Sequence, residues 1–280
     1  MIDDFGRCQT TLSRPIEFAG VGLHGGLSSR LSIIPATADT GVVFERPEGS
    51  IPALLPFVSD ASRCTAISNG EARIETIEHV LASLFALGVT NATVRVLEGV
   101  EAPVLDGSAM PIAQAILEAG IEVIPGTRRK QVRVRDALYV QREGSYAIAL
   151  PHHQLRATVI VEFPQPVGSE VVDAPDVREQ FVERIAPART PGFVREWEML
   201  KSRGLALGAS ADNVLPIHDE GYGDELRVPN EVGAHKLLDL VGDLALVGAD
   251  IAAHIITYRG GHALNHALGR AILESTSVDE

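Results

Sequence analysis

The stretch from His235 to Asp243 carries groups that can bind a metal or move a proton. It reads His-Lys-Leu-Leu-Asp-Leu-Val-Gly-Asp. At about 3.6 residues per turn, His235, Asp239 and Asp243 share one face of a helix, opposite a face of leucine and valine. An imidazole and carboxylates are costly to bury in such apolar surroundings unless they bind a metal, a partner charge or a substrate. The spacing therefore predicts a functional helix, from about Asn230 as its N-cap to Val247.

Glu78 and His79 occupy the first turn of another predicted helix, which starts near Thr76 and stops at Gly88. The partial positive charge of a helix N-terminus favours an ionised carboxylate and disfavours a charged imidazole. That suits a base beside a neutral metal ligand. The same position equally suits a purely structural arrangement, in which Glu78 complements the helix dipole and His79 is partly exposed. Without other evidence, this second interpretation is favoured.

The elements around these residues recur in the same order in two segments. Residues 76–119 and 230–274 each run from a helix with a leading histidine through a glycine and a strand to a glycine-containing turn and a second helix. This similarity predicts an α+β protein with two similar domains from a duplicated unit, each with helices packed against β-sheets. We place the domains at 1–125 and 131–280, with the linker candidate at 124–130 and the active site at the interface of the domains. His79 and His235 then become neighbours.

Two imidazoles and one carboxylate form a common zinc-binding set that leaves a fourth position open. A zinc ion lowers the pKa of a coordinated water to about 7, and Glu78 can take the proton. His262, in a Gly-Gly turn at the start of a helix, can supply an imidazolium oriented by Asp243. The residues thus predict a mononuclear metal hydrolase that acts on an amide or an ester.

Composition excludes several other classes of protein. The 280 residues have a formal net charge of −13, and the densest basic cluster is only Arg128-Arg129-Lys130, so nucleic acid is not an expected partner. The cysteines, Cys8 and Cys64, have no metal-site spacing and fit a reducing compartment. The N-terminus is acidic where a signal peptide is basic, and no apolar run has the length of a membrane span. We expect a cytoplasmic protein.

Motifs along nearly the whole chain resemble those of the zinc-dependent UDP-3-O-acyl-N-acetylglucosamine deacetylases of lipid A synthesis. They are Gly20-Val21-Gly22-Leu23-His24, Ala38-Asp39-Thr40-Gly41, Thr76-Ile77-Glu78-His79, Leu105-Asp106-Gly107-Ser108-Ala109, Gly192-Phe193, Arg203-Gly204-Leu205-Ala206-Leu207-Gly208, His235-Lys236-x-x-Asp239-x-x-Gly242-Asp243 and Gly261-His262-Ala263-Leu264-Asn265. The resemblance implies zinc hydrolysis of the acetamide of a UDP-linked acylated amino sugar, with release of acetate. It also implies a βαβ insert at about 190–217 that forms an apolar tunnel for the acyl chain.

The resemblance assigns a role to each matching residue. The implied zinc ligands are His79, His235 and Asp239. The implied catalytic residues are Glu78 as the general base, His262, Asp243 and Thr190. The implied substrate contacts are Lys236, Phe193, Arg259 and His24. Thr190 would support the oxyanion. The turn around His24 has a competing interpretation as a plain tight hairpin. We expect a monomer and leave a transient contact with the inner membrane surface open.

Departures from the family pattern leave the substrate open. Pro191 stands where the family usually has Phe, and Trp197 alters the insert. The alternatives are a divergent paralogue that deacylates another N-acyl sugar or amide, and a non-catalytic zinc or nucleotide-lipid binding protein. The remaining histidines are interpreted as structural: His152, His153 and His218 in solvated turns and His254 in a core strand. His266, one helical turn from His262, could touch the site but fits a helix-surface role at least as well.

Overall fold

A computed structural model describes residues 8–275, so the prediction about a signal peptide falls on residues outside it. Strands dominate both halves of the chain. In order they are β1 Thr10–Leu12, β2 Ile16–Val21, β3 Ser28–Pro35, β4 Val42–Arg46, β5 Gly49–Pro52, β6 Val58–Asp60, β7 Ala66–Ser68, β8 Arg73–Ile74, β9 Ala92–Glu98, β10 Ile121–Val123, β11 Gln131–Arg133, β12 Leu138–Arg142, β13 Ser145–Pro151, β14 Leu155–Glu162, β15 Ser169–Ala174, β16 Pro191–Phe193, β17 Leu215–His218, β18 Gly221–Tyr222 and β19 Asp250–Tyr258.

The helices come between these strands and cover them. They are α1 Glu78–Ala86, α2 Met110–Ala119, α3 Val177–Gln180, α4 Val194–Ser202, α5 Glu231–Ala245 and α6 His262–Ser275, with a 3₁₀ turn at Leu55–Phe57 and a π-helical turn at Phe181–Ile185. The predicted α+β class is confirmed. Within residues 8–275, no helix is long and apolar enough to cross a membrane.

The main sheet of each half has the same pattern of strand pairing. The first has the order β2-β3-β9-β4-β5 and the second the order β12-β13-β19-β14-β15, with β11 also paired to β19. In each five-strand order the pairing between the third and fourth strands is parallel and the other pairings are antiparallel. The additional pairing of β11 with β19 is parallel. Strand β14 shows why such segments form sheet, because its Val- and Ile-rich sequence alternates between buried and half-buried side chains. Duplication of one ancestral unit, and the division at 125–131, stay predictions.

The helices α1 and α5 cross at the centre of the molecule, where one hydrophobic cluster contains buried residues of both halves. Helix α5 also packs on β14 and β15, and α6 packs on β12 and β13. Gly242 allows the close crossing, because a Cβ atom there would lie 2.1 Å from the carbonyl oxygen of Glu78. The first turn of α1 therefore lies directly against the face of α5 that carries the predicted ligands.

Residues 191–218 form a strand, a helix and a strand, in which β16 and β17 pair in parallel. The loop after α4 reaches the glycine-rich turn of the first half. There Leu207 N donates to His24 O over 3.0 Å, and Gly208 N donates to Leu23 O over 3.1 Å. Chain from the second half therefore closes one side of the space in front of α1 and α5.

The structure refines the predicted N-terminus of α5. Asn230 does stand at the N-cap of α5, but its side chain makes no capping bond; its amide donates to Val171 O instead. The helix α5 itself is confirmed, two residues shorter at its C-terminal end than predicted.

Candidate metal centre and acid-base pair

The predicted ligands His79, His235 and Asp239 meet at the crossing of α1 and α5. His235 and Asp239 are one turn apart on α5, and His79 projects from the first turn of α1. Asp239 Oδ1 lies 3.4 Å from His235 Nε2 and 4.0 Å from His79 Nε2. All three side chains are buried, and their donor atoms lie within 4.8 Å of one another, so this cluster could hold a metal ion.

The surroundings of the cluster keep its donor atoms free of protons at neutral pH. Burial, together with the nearby His235, lowers the pKa of His79 to about 3. Burial also lowers the pKa of His235, whose Nδ1 donates to Ala188 O over 3.0 Å and so leaves the Nε2 lone pair facing the cluster. Burial alone would raise the pKa of Asp239, but the Lys236 ammonium, 2.7 Å from Oδ2, and the imidazoles hold it below its usual value. Neutral imidazoles and a carboxylate are the forms that bind metals.

Glu78 lies beside the cluster in the first turn of α1, as predicted. Its Oε2 accepts a hydrogen bond of 3.0 Å from the backbone N–H of Thr65. Burial raises the pKa of Glu78 to about 7, with the charge of His262 opposing and those of Asp239 and Asp243 adding to the rise. A carboxyl group with a pKa near 7 can both accept and release a proton at neutral pH.

His262 begins α6 and faces Asp243, with its Nδ1 2.9 Å from Asp243 Oδ2. Burial alone would lower the pKa of His262, but the charge of Asp243 and the hydrogen bond to it, helped by Asp239 and Glu78, raise it to about 10. The same pairing holds the pKa of the fully buried Asp243 well below its usual value despite burial. His262 is therefore an imidazolium at neutral pH, as a proton donor requires.

Three further groups hold Asp243, and sequence reasoning missed two of them, Thr65 and Asn265. Asp243 Oδ1 accepts from Thr65 Oγ1 and from His266 Nε2 (3.1 Å), and its Oδ2 also accepts from Asn265 Nδ2 (2.8 Å). Of the two interpretations of His266, the helix surface is wrong and the contact with the site is confirmed, because this residue is only 1% exposed and binds Asp243. The four-residue spacing of His262 and His266 gave the signal for this contact, since it puts both on one helix face. Thr65, in a short irregular segment, gave no periodic signal.

A cavity of about 560 Å³ opens in front of these residues. Its wall contains every predicted site residue except Asp243, which lies behind His262: Glu78, His79, Thr190, Phe193, His235, Lys236, Asp239, Arg259, His262 and His24. One side is apolar, formed by residues such as Leu23, Phe193, Trp197 and Val214. The cavity thus joins the acid-base groups to a surface that fits hydrocarbon.

The predicted substrate contacts occupy different parts of this wall. Lys236 reaches inward to Asp239, whereas Arg259 is exposed at the rim with a left-handed backbone (φ 50°). Thr190 is anchored to Gly107 O by its backbone N–H (2.8 Å) and its hydroxyl (3.1 Å). His24 belongs to a turn whose N–H groups at His24 and Gly25 donate to Glu101. A carboxylate that binds the turn explains its shape, but His24 still faces the cavity.

The histidines outside the predicted site do not line the cavity. They are His152, His153, His218, His254 and His266. His254 is half-buried on β19 and bonds Thr158 Oγ1 over 2.9 Å, so its polar atom is satisfied.

Comparisons with known proteins bear on the whole chain. A family model described as UDP-3-O-acyl N-acetylglycosamine deacetylase matches residues 9–274. Proteins named UDP-3-O-acyl-N-acetylglucosamine deacetylase are similar to it: that of Leptospira biflexa is 36% identical over 96% of this chain and 91% of its own length. That of Solibacter usitatus is 36% identical over 98% and 94%, and that of Chlamydia felis 37% identical over 96% and 98%.

Proposed function

Because the chain belongs to the UDP-3-O-acyl N-acetylglycosamine deacetylase family, we propose that it hydrolyses the acetamide of UDP-3-O-acyl-N-acetylglucosamine. The products are UDP-3-O-acyl-glucosamine and acetate, in lipid A synthesis. One observation carries the proposal. A buried three-donor cluster, a carboxyl group with a pKa of about 7 and an imidazolium share the wall of one cavity.

The donor set of His79, His235 and Asp239 fits zinc. Its imidazoles are neutral, and the second nitrogen of His235 is held by a backbone carbonyl, as is usual for metal-ligating histidines. A zinc ion bound there would act as a Lewis acid and would lower the pKa of a coordinated water to about 7. Three protein ligands leave room for substrate, which suits a catalytic rather than a structural site.

The protein's own residues divide the proton transfers between them. Glu78 takes a proton from the attacking water, which its pKa of about 7 allows at neutral pH. His262, held as an imidazolium by Asp243, gives a proton to the leaving amine of the sugar. Lys236 and Thr190 are the groups we assign to the negative oxygen that develops on the acetyl carbon.

The rest of the cavity accounts for the other parts of the substrate. Arg259 at the rim and His24 on the opposite turn are our assigned contacts for the UDP group, and Phe193 belongs to the apolar side that would take the acyl chain. The net charge of −13 argues against nucleic acid as a partner. A cytoplasmic location and a monomeric state remain part of the proposal.

A divergent specificity is the second candidate. Pro191 and Trp197, which depart from the family pattern, both line the cavity. A change in the shape of the cavity at these residues would make the enzyme prefer another N-acyl sugar or another acyl length. Comparing kcat/KM for substrates that differ only in acyl length separates the two candidates.

The decisive experiment measures acetate release from the acylated UDP sugar by the purified protein before chelation, after chelation and after zinc is restored. We expect loss of activity on chelation and its return with zinc. Full activity in the metal-free protein would rule out the zinc assignment. About one zinc per chain without hydrolysis of any acylated sugar would instead identify a non-catalytic binding protein.

A further inference from the structure

Three consecutive residues, Ala188, Arg189 and Thr190, connect the metal cluster with the cavity wall. The carbonyl of Ala188 accepts the hydrogen bond from His235 Nδ1 (3.0 Å). Thr190 lines the cavity and bonds Gly107. The position of this short segment therefore affects both the imidazole of a proposed ligand and the proposed oxyanion group.

Arg189, between them, is bound to Glu231 by three hydrogen bonds. Its backbone N and its Nε lie 2.9 Å and 2.8 Å from Glu231 Oε1, and its Nη2 lies 3.2 Å from Oε2. Glu231 Oε2 also accepts from the backbone N–H of Arg227 over 2.8 Å. The side chains are buried, 7% exposed for Arg189 and 0% for Glu231. The mechanism described above uses neither of them.

This pair fixes the segment relative to α5. Glu231 begins α5, and His235 follows it by one turn on the same helix. Arg189 presents a planar fork of donors, so two of its side-chain nitrogens and its backbone N–H together fix the orientation of the chain. Since Ala188 is bonded to His235 and Arg189 to Glu231, the segment is attached to α5 at two points one turn apart. A buried ion pair of this kind fixes the relative position of two segments more reliably than it increases the stability of the fold.

We propose that Glu231 and Arg189 are positioning residues. They fix the orientation of the His235 ring, they determine which of its two nitrogens carries the proton, and they fix the location of Thr190. The inference rests on the proposed function, because it assigns their effect to metal binding and hydrolysis at that site. Neither residue touches the reacting atoms. Their effect passes through the Ala188 carbonyl and the backbone of Thr190.

Glu170 supplies a matched control. It is also a buried glutamate, 7% exposed, that binds the first turn of α5, where its Oε2 accepts from Gly233 N over 2.7 Å. Its other side-chain hydrogen bond runs to Tyr222, and within residues 8–275 its bonds do not include Ala188–Thr190. If a substitution weakened zinc binding merely by disturbing the start of α5, both Glu231→Gln and Glu170→Gln would show the loss of zinc affinity.

The experiment compares Glu231→Gln, Arg189→Lys and Glu170→Gln with the wild type. Zinc affinity is measured by competition with a chromophoric chelator, and kcat and KM are measured separately. The ¹⁵N NMR signal of the His235 Nδ1–H is followed in the metal-free protein, so that one readout is independent of activity. Arg189→Lys keeps the charge and the backbone bond but removes the fork of donors to Glu231, together with the guanidinium bonds to Asp224 and the Glu225 carbonyl.

We expect Glu231→Gln and Arg189→Lys to weaken zinc binding by about 10- to 100-fold, the usual cost of losing an outer-shell partner. Their kcat falls while KM changes little, and the Nδ1–H signal exchanges faster with solvent. Glu170→Gln keeps the zinc affinity within about two-fold. Equal losses of zinc affinity in Glu231→Gln and Glu170→Gln would overturn the positioning role. Unchanged zinc affinity in Arg189→Lys would also overturn it. A wild-type protein that neither binds zinc nor releases acetate would refute the proposed function itself.

Discussion

Glu78 combines burial, a pKa of about 7 and a place beside the three-donor cluster. Replacing its carboxyl group with an amide removes the proton acceptor but preserves the shape and the bond from Thr65 N. We therefore expect Glu78→Gln to lower kcat by about 10²- to 10⁴-fold, the usual contribution of a general base. Acetate release is the measurement. Zinc content should remain at the wild-type level.

The exposed Glu71 provides the control for this prediction, since it lies in a surface turn of the same half. Glu71→Gln should hydrolyse at the wild-type rate. If Glu78→Gln retained wild-type kcat, another group would have to be the base.

His262 depends on Asp243 for its charge. The pKa of His262 is raised from 6.5 to about 10 mainly by that carboxylate, against the effect of burial. Asp243→Asn removes the negative charge, so the pKa of His262 should fall and the imidazolium should be lost at a lower pH. The alkaline limb of the pH profile of kcat should move to lower pH. The measurement pairs that profile with an NMR titration of His262, and an unmoved alkaline limb would argue against His262 as the proton donor.

The same shift predicts how stability depends on pH. A group whose pKa is raised on folding stabilises the folded state fully below its unfolded pKa, and this contribution disappears as pH rises through the folded value. The wild type should therefore lose the contribution of His262 between pH 6.5 and about 10. Urea unfolding at several pH values should show this loss in the wild type and a smaller one in Asp243→Asn.

At the scale of elements, the crossing of α1 and α5 depends on Gly242. A methyl group there would meet the Glu78 carbonyl at 2.1 Å, and that atom is backbone in the first turn of α1. The helices must move apart, so we expect Gly242→Ala to destabilise the fold by about 1–3 kcal/mol, as overpacking does. It should also weaken zinc binding, because His79 moves with α1. Denaturant unfolding and chelator competition measure the two effects.

Gly221 in β18 is the matching control, because a Cβ atom added there meets no atom within 4 Å. Gly221→Ala should leave stability within about 0.5 kcal/mol, as for ordinary surface positions. Unchanged zinc affinity in a folded Gly242→Ala protein would mean that the ligand distances tolerate a wider crossing.

For the whole molecule, the proposed ligands come from both halves of the chain, His79 from one and His235 and Asp239 from the other. A metal that binds only when the halves are together must stabilise the folded state, by about 4 kcal/mol at a free concentration 1,000 times Kd. Chelation should therefore lower Tm, and zinc should restore it. The His79→Ala protein should unfold at one Tm with or without zinc. A zinc-dependent rise of Tm in that variant would place the metal elsewhere.

Local patterns in the sequence predicted much of this protein. The spacing of His235, Asp239 and Asp243 put them on one face of α5, and the helix pattern after Thr76 put Glu78 and His79 in the first turn of α1. Such predictions succeed because helical periodicity depends on a few neighbouring residues. The α+β class followed from the alternation of strand and helix patterns, and the motifs along the chain identified the family.

Only the tertiary structure decided what surrounds each of these groups. Thr65 binds Asp243 from 178 positions away, and Glu231 binds Arg189 from 42 positions away, distances over which the sequence carries no periodic signal. The protonation states were also undecided until burial and neighbouring charges were known. Together these two factors raise the pKa values of Glu78 and His262 and lower the pKa of His79. The sequence by itself determined which side chains could do the chemistry. The packing of α1 and α6 against α5 determined which of them carry a proton.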